Sequence, residues 1–276
     1  MLSPRRLLAQ AKLRPKKRFG QNFLVNASAA RRIAELSLHG ALPHTQTLEI
    51  GAGTGTLTHA LLEAGADLTA LEIDRNLVEL LGSRDDLPGA RILEADALTF
   101  DYEAWARRRP WIVSGNLPYN IATPLLISLI EMTRGPSSLT VTLQKDVADR
   151  LAARPGTPAY GSLSVAVQYA MLVELAFTLA PQSFYPAPKV RSSVVRLVRR
   201  AEPAVRVRDL PLFWKVVRGA FAYRRKTLAN TLSLALDLDR AAIVQALARS
   251  SLSPELRGER LDLNDFARLA DALAEG

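Results

Sequence analysis

The chain of 276 residues has no cysteine, which excludes a disulfide framework and a thiolate metal site. Its three histidines, His39, His44 and His59, fall in no ligand spacing, so neither a metal centre nor a histidine-based triad is expected. No apolar run approaches the roughly 20 residues that a membrane helix needs, and no membrane association is expected. Acid is missing from residues 1 to 34, where nine bases lie: Arg5, Arg6, Lys12, Arg14, Lys16, Lys17, Arg18, Arg31 and Arg32. Of the 36 bases, 27 remain elsewhere against 27 acids, so the net charge of +9 sits wholly in this arm. Such an arm suits a polyanion, because each phosphate neutralised releases counterions. A solvated tail and an organelle transit peptide have the same composition.

What is present is the profile of a folded protein of one or two domains, 48% hydrophobic. From residue 45 short β-branched runs alternate with helical patterns, the mark of a parallel sheet wrapped by helices. The pattern predicts strands at Thr47–Ile50, Leu68–Ile73, Arg91–Leu93, Trp111–Ser114 and Leu139–Leu143, with helices at Leu57–Ala64, Leu77–Leu81, Pro124–Met132 and Asp146–Ala153. Val173–Leu179 and Val194–Arg199 are strand-like and separated only by the proline-rich Pro181–Pro188, which predicts a late antiparallel hairpin. Residues 200–208 read as a linker. Beyond it Phe213–Leu236, Arg240–Arg249 and Leu263–Ala274 have helical period. The expected organisation is an α/β Rossmann-like domain over 1–200, with the basic arm at 1–34, and a small helical domain over 206–276.

Leu48-Glu49-Ile50-Gly51-Ala52-Gly53-Thr54-Gly55 is a strand entering a glycine turn ahead of a helix, the place where such sheets bind ligands. Its Gly-x-Gly-x-Gly spacing differs from the dinucleotide fingerprint, which keeps a third glycine for helix packing. Two acids follow strands on the same edge. Glu72 stands where an acid accepts both ribose hydroxyls, and Asp96 where a carboxylate accepts from an adenine amino group. Each acid alone reads as a surface strand end. Together with Gly51 and Gly53 they trace a site shaped for adenosine, in either a nicotinamide dinucleotide or S-adenosylmethionine.

Ser114-Gly115-Asn116-Leu117-Pro118-Tyr119 follows the fourth strand and favours S-adenosylmethionine. An exocyclic base amine is a poor nucleophile because its lone pair is delocalised into the ring. An Asn oxygen and a backbone carbonyl, held by a rigid Pro, accept its two hydrogens and favour the tetrahedral nitrogen that attack requires. The Tyr ring offers a stacking face for an extruded base. Asn and Pro are also common in type I and II turns.

With these segments the sequence resembles the small-subunit ribosomal RNA adenine N6,N6-dimethyltransferase family. The likeness rests on Lys17-Arg18-Phe19-Gly20-Gln21-Asn22-Phe23-Leu24, the loop from Leu48 to Thr58, Glu72, Asp96, the run from Asn116 to Asn120, Gln144-Lys145-Asp146, Pro181 to Val190, and Arg224-Arg225-Lys226-Thr227. The family varies at the last three positions of the glycine loop, so Gly51 is the firmer assignment there. The resemblance implies a class I methyltransferase sheet and S-adenosylmethionine as cofactor, held by Asn22, Leu24, Gly51, Gly53, Glu72, Asp96 and Asn116. It implies that Asn116, Leu117, Pro118 and Tyr119 act on the amine, and that Phe184 packs on the target base away from Tyr119. It implies RNA contacts by Lys16, Lys17, Arg18, Lys189, Arg224, Arg225 and Lys226; a solvated helix face is the alternative for the last three. The implied partner is the immature small ribosomal subunit, and the implied reaction dimethylates N6 of two adjacent adenosines.

Three rivals stand beside this reading: the related enzymes that methylate large-subunit ribosomal RNA, an RNA-binding assembly or transcription factor that keeps the fold without catalysis, and a nicotinamide dehydrogenase. Pro4 and Pro15 interrupt a presequence helix. A monomer in a bacterial cytoplasm is expected.

Overall fold

The structure, a computed structural model, describes residues 2–223 and 225–275. The chain packs as two compact units. The first runs to Ala148 and takes in Val173–Arg199; the second holds Asp149–Leu172 and the chain from Arg200 onward.

The basic arm opens with helix α1 (Pro4–Gln10) and a short 3-10 turn, Lys17–Phe19. Pro4 starts α1 rather than interrupting it, since the first helical position has no hydrogen bond to lose. Leu8 of α1 packs with Phe23 and Leu77, so this part of the arm is folded onto the unit and is no solvated tail. Strand β1 (Phe23–Leu24) and helix α2 (Ala27–Leu38) follow. Asn26 caps α2 by accepting from the Ala29 N–H at 3.0 Å.

The chain then alternates β2 (Gln46–Ile50), α3 (Thr56–Glu63), β3 (Asp67–Glu72), α4 (Arg75–Gly82), β4 (Arg91–Glu94), α5 (Tyr102–Ala106), β5 (Trp111–Asn116), α6 (Ala122–Glu131), β6 (Ser138–Gln144) and α7 (Lys145–Leu151). After α8 (Ser162–Ala170) come β7 (Met171–Leu179), β8 (Phe184–Tyr185) and β9 (Ser192–Arg199). The main sheet has the order β4-β3-β2-β5-β6-β9-β7. The pairs of β2 with β3, β2 with β5, β3 with β4 and β5 with β6 are parallel. β9 lies antiparallel to β6. Thus the two late strands join the sheet at one edge, giving the expected class I methyltransferase arrangement. The order turns outward on both sides of the β2 and β5 pair, and a crevice opens there at the strands' carboxyl ends. All five residues of β2 are buried, as a central parallel strand covered on both faces requires. A separate two-stranded sheet pairs Leu24 with Phe184 and Phe23 with Tyr185.

The second unit is helical. It contains α9 (Leu210–Ala220), α10 (Leu228–Leu236), α11 (Arg240–Arg249) and α12 (Leu263–Ala274). The single helix that periodicity predicts over Phe213–Leu236 is broken after Ala220. Its halves fold back on one another, and a Cβ on Gly219 would stand 3.2 Å from the Ala235 Cβ and 3.3 Å from Leu232, so glycine lets the two helices approach. Asp149–Leu172 lies inside the span that the sequence assigns to the first domain. Its Ala153, Tyr160 and Val165 share the helical core with Phe213, Leu247 and Phe266, and the Tyr160 hydroxyl donates to the Leu261 carbonyl at 2.9 Å. Among the described residues no helix is long and apolar enough to cross a membrane.

Candidate active site

A cleft of about 870 Å³, measured to its open mouth, lies at the carboxyl ends of β2, β3, β4 and β5. Its wall includes Asn22, Leu24, Gly51, Gly53, Glu72, Asp96 and Asn116 through Tyr119, so residues spread over almost 100 positions converge in the first unit. Gly51 and Gly53 have φ of +76° and +59°, a backbone that residues with side chains avoid. At Gly53 a Cβ would also come within 2.9 Å of the Phe23 ring. On β5 a Cβ at Gly115 would meet the Ile50 carbonyl oxygen at 2.6 Å, so β5 keeps its place beside the glycine loop only with glycine there.

Glu72 ends β3 and is buried. Its Oε2 accepts from the Gly53 N–H at 2.8 Å and its Oε1 from the Asp74 N–H at 3.0 Å. Burial pushes its carboxyl above the usual carboxylate range, while these N–H donors work the other way. Carboxylate oxygens accept two bonds each, so capacity remains for ligand hydroxyls. Asp96 follows β4 on the cleft wall, and its Oδ1 accepts from the Leu98 N–H at 2.9 Å. Sequence reasoning missed Glu49. It lies beneath the glycine loop, 1% exposed, and burial, helped by the like charge of Glu72, pushes it up to about 7 against the pull of Thr58. An acid inside a strand that is buried along its whole length was the available signal.

Asn116 closes β5. Its Nδ2 donates to the Asn22 carbonyl at 2.7 Å. Its Oδ1 is buried and has no partner among the described residues. A buried acceptor left open costs about 1–3 kcal/mol, which is recovered when a donor enters. Leu117 is buried and anchors the loop. The Pro118 carbonyl accepts from the Ile121 and Ala122 N–H groups at 3.1 Å each, opening α6. Tyr119 is half-buried, and its hydroxyl lies 2.7 Å from Ser192 Oγ. Burial pushes the Tyr119 pKa up, with the bond to Ser192 opposing it.

The structure does not bring Phe184 to the cleft wall. Its ring is 3% exposed in a cluster with Leu24, Ile33 and Leu57, because β8 pairs with β1 and turns the side chain into the core. Lys16 also differs from expectation: its Nζ is 2.6 Å from Asp74 Oδ1, so its charge is spent inside the protein. Lys17, Arg18 and Lys189 are exposed, with the Arg18 guanidinium 4.6 Å above the Phe19 ring. In the second unit Arg225 and Lys226 are exposed. Arg224 lies outside the described residues. Among the described residues no group of three or more His, Cys, Asp or Glu is placed to hold a metal ion.

The donor set fits an adenosine-bearing sulfonium. Left-handed glycines leave the backbone bare, a buried carboxylate stands at the strand end, and Asn116, whose buried amide oxygen has no partner among the described residues, lines the same cleft. Comparison with known proteins agrees. Residues 12–274 match the family described as ribosomal RNA adenine dimethylase. The chain is 43% identical over 258 residues to the ribosomal RNA small subunit methyltransferase A of Hahella chejuensis, covering 93% of this chain and 92% of that one. It is 43% identical to the protein of the same name from Lactococcus lactis, covering 94% and 90%. Among solved structures, the 23S rRNA methyltransferase ErmE aligns with a TM-score of 0.70 at 26% identity, covering 92% of this chain and 100% of that one. A dimethyladenosine transferase from Plasmodium falciparum aligns at 0.73 with 23% identity, covering 90% and 95%, which shows a shared fold. The chain belongs to the ribosomal RNA adenine dimethylase family and is an S-adenosylmethionine-dependent ribosomal RNA adenine methyltransferase.

Proposed function

We propose that this protein methylates N6 of two adjacent adenosines near the 3′ end of small-subunit (16S) ribosomal RNA, forming N6,N6-dimethyladenosine as a step of small-subunit biogenesis. Supporting the choice of RNA are relatives named for the small subunit at 43% identity over more than nine tenths of the chain. The likeness to a large-subunit methyltransferase is 26% identical, and that substrate is the second reading.

The observation that carries the chemistry is the open, buried Oδ1 of Asn116. S-adenosylmethionine, bound in the cleft, supplies a methyl group made electrophilic by its sulfonium. Gly51 and Gly53 would let the backbone approach it, Glu72 would accept from the ribose hydroxyls and Asp96 from the adenine amino group, and Asn22 and Leu24 would line its site. Asn116 Oδ1 accepts one hydrogen of the target amine. Because the Pro118 carbonyl is already taken by α6, the other hydrogen falls to the Leu117 carbonyl. Two acceptors below the nitrogen direct its lone pair along the line of attack, the positioning effect by which enzymes lower such barriers. The proton leaves only after the N–C bond has formed and the nitrogen is cationic, so no general base is required beside it. A monomethylated amine keeps one hydrogen, and one acceptor then suffices for the second transfer. Tyr119 offers its ring to the base, while Lys17, Arg18, Lys189, Arg225 and Lys226 meet phosphates.

The test is partition of label. With labelled cofactor and separated immature ribosomal subunits, N6,N6-dimethyladenosine is expected from small-subunit RNA. Label confined to large-subunit RNA selects the second reading.

A further inference from the structure

The catalytic amide does not hold its own orientation. An Asn side chain turned by 180° would present Nδ2 to the target nitrogen and abolish its use as an acceptor. What prevents this is the Asn22 carbonyl, 2.7 Å from Asn116 Nδ2: an acceptor there demands the donor end and leaves Oδ1 unpaired on a residue of the cleft wall. The orientation of Asn116 is therefore only as secure as the strap, residues 16–24, that carries Asn22.

That strap is tied at its other end to the turn after β3. The buried Asp74 carboxylate accepts from Lys16 Nζ at 2.6 Å and from Gln21 Nε2 at 3.0 Å. Gln21 Oε1 accepts in turn from the Lys16 N–H at 2.7 Å, closing a ring of hydrogen bonds across the strap. Burial opposes ionisation of Asp74, but the Lys16 and Gln21 bonds outweigh it and keep the carboxyl below its usual range. Asp74 also donates its N–H to Glu72, and Glu72 holds the Gly53 N–H. On the far side the strap lies against the catalytic loop: a Cβ on Gly20 would stand 2.8 Å from Asn120 Oδ1 and 3.6 Å from the Pro118 Cβ.

We infer that Lys16, Gln21 and Asp74 are positioning residues for methyl transfer, acting through the Asn22 carbonyl to hold the Asn116 amide with its oxygen toward the substrate. The inference rests on the reading of Asn116 given above. Lys16 thus serves the reaction rather than the RNA backbone.

Full-length Lys16→Met, Gln21→Ala and their double variant are assayed beside Lys16→Arg and Asn116→Asp, with cofactor and RNA both saturating. The double variant is expected to lose about 10- to 100-fold in kcat at saturating cofactor and RNA, the scale on which small misplacements act, with the RNA KM close to wild type, cofactor Kd weakened only a few-fold because Asn22 and Leu24 ride on the strap, and Tm lowered because the buried Asp74 loses its partners. Lys16→Arg restores kcat to within about threefold, since it still donates to Asp74. Asn116→Asp keeps an acceptor of the same shape but sets oxygen against the Asn22 carbonyl, and it is expected to be as impaired as the double variant. A kcat within threefold of wild type in the double variant overturns the inference. So does a defect confined to RNA KM or to cofactor Kd, or an active Asn116→Asp. Wild-type protein that fails to methylate adenine in ribosomal RNA counts against the proposed function instead, so the two failures are distinct.

Discussion

The Tyr119 hydroxyl and the Ser192 Oγ lie 2.7 Å apart, joining the loop after β5 to the first residue of β9. Ser192 is fully buried and opposes Gln144 at the end of β6, so the tether holds the ring against the sheet. Removing either side of one bond should cost the same. Tyr119→Phe and Ser192→Ala are each expected to lower kcat/KM for RNA a few-fold, and the double variant should be no worse than one of them. Tyr119→Ala, which removes the stacking face as well, should cost about 1–3 kcal/mol of base binding. A double-mutant cycle on RNA transfer measures this, and additive losses would show that the tether does not act on the ring.

Glu49 gives the protein a pH signature. Burial pushes its carboxyl well above the usual carboxylate range, to about 7 in the folded protein. An acid with a raised folded value binds its proton more tightly in the native state. Its contribution is therefore present in full below pH 4.5 and is lost as pH rises to about 7, on the order of 3 kcal/mol. Glu49→Gln should remove that slope and be more stable than wild type at pH 8, which urea unfolding of both proteins across pH 4.5 to 8 will check. Equal slopes would mean that Glu49 is ionised at low pH in the native state.

Gly53→Ala adds a Cβ 2.9 Å from the Phe23 ring at a residue with φ +59°. Left-handed backbone costs a residue with a side chain about 1–2 kcal/mol, and here the crowded wall is that of the cleft. Calorimetric titration should show cofactor affinity reduced by about tenfold or more. Gly65→Ala makes a control, since φ is +86° there but no atom lies within 4 Å of its Cβ. It should lose stability without losing cofactor affinity.

The exposed cations of the first unit, Lys17, Arg18 and Lys189, predict a phosphate interface. Neutralising any one should weaken RNA binding across sequences and reduce the slope of log K against log salt by about 1. Lys16→Met should leave the slope unchanged, because that ammonium already faces Asp74. Filter binding between low and moderate salt distinguishes the two.

Much of this architecture was legible in the sequence, and the reasons differ from residue to residue. The parallel strands and the glycine loop announce themselves through local chemistry: β-branched runs, glycines that must take positive φ, acids at strand ends. The break between α9 and α10 did not, because the apolar period runs on through it and only the packing at Gly219 reveals the fold-back. The transfer of Asp149–Leu172 to the helical unit was equally silent, since its apolar residues would suit either core. Within the candidate site, the place of Asn116 on the cleft wall was legible because its neighbours carry the same meaning. Asp74 and Ser192 were not found, since their partners lie far off in sequence, Lys16 and Gln21 58 and 53 positions from Asp74 and Tyr119 73 positions from Ser192. Phe184 is the opposite case: the motif around it is specific, yet strand pairing with Leu24 places the ring in the core.

The central claim is that Asn116 directs the amine. Its most direct test is single-turnover methyl transfer to small-subunit RNA by Asn116→Ala, with cofactor affinity measured on the same preparation. The account predicts transfer reduced by about 10²- to 10³-fold, the scale for losing one polar group that acts on the reacting centre, with cofactor affinity within a few-fold of wild type. Transfer within tenfold of wild type, or a loss explained wholly by weaker cofactor binding, would contradict it.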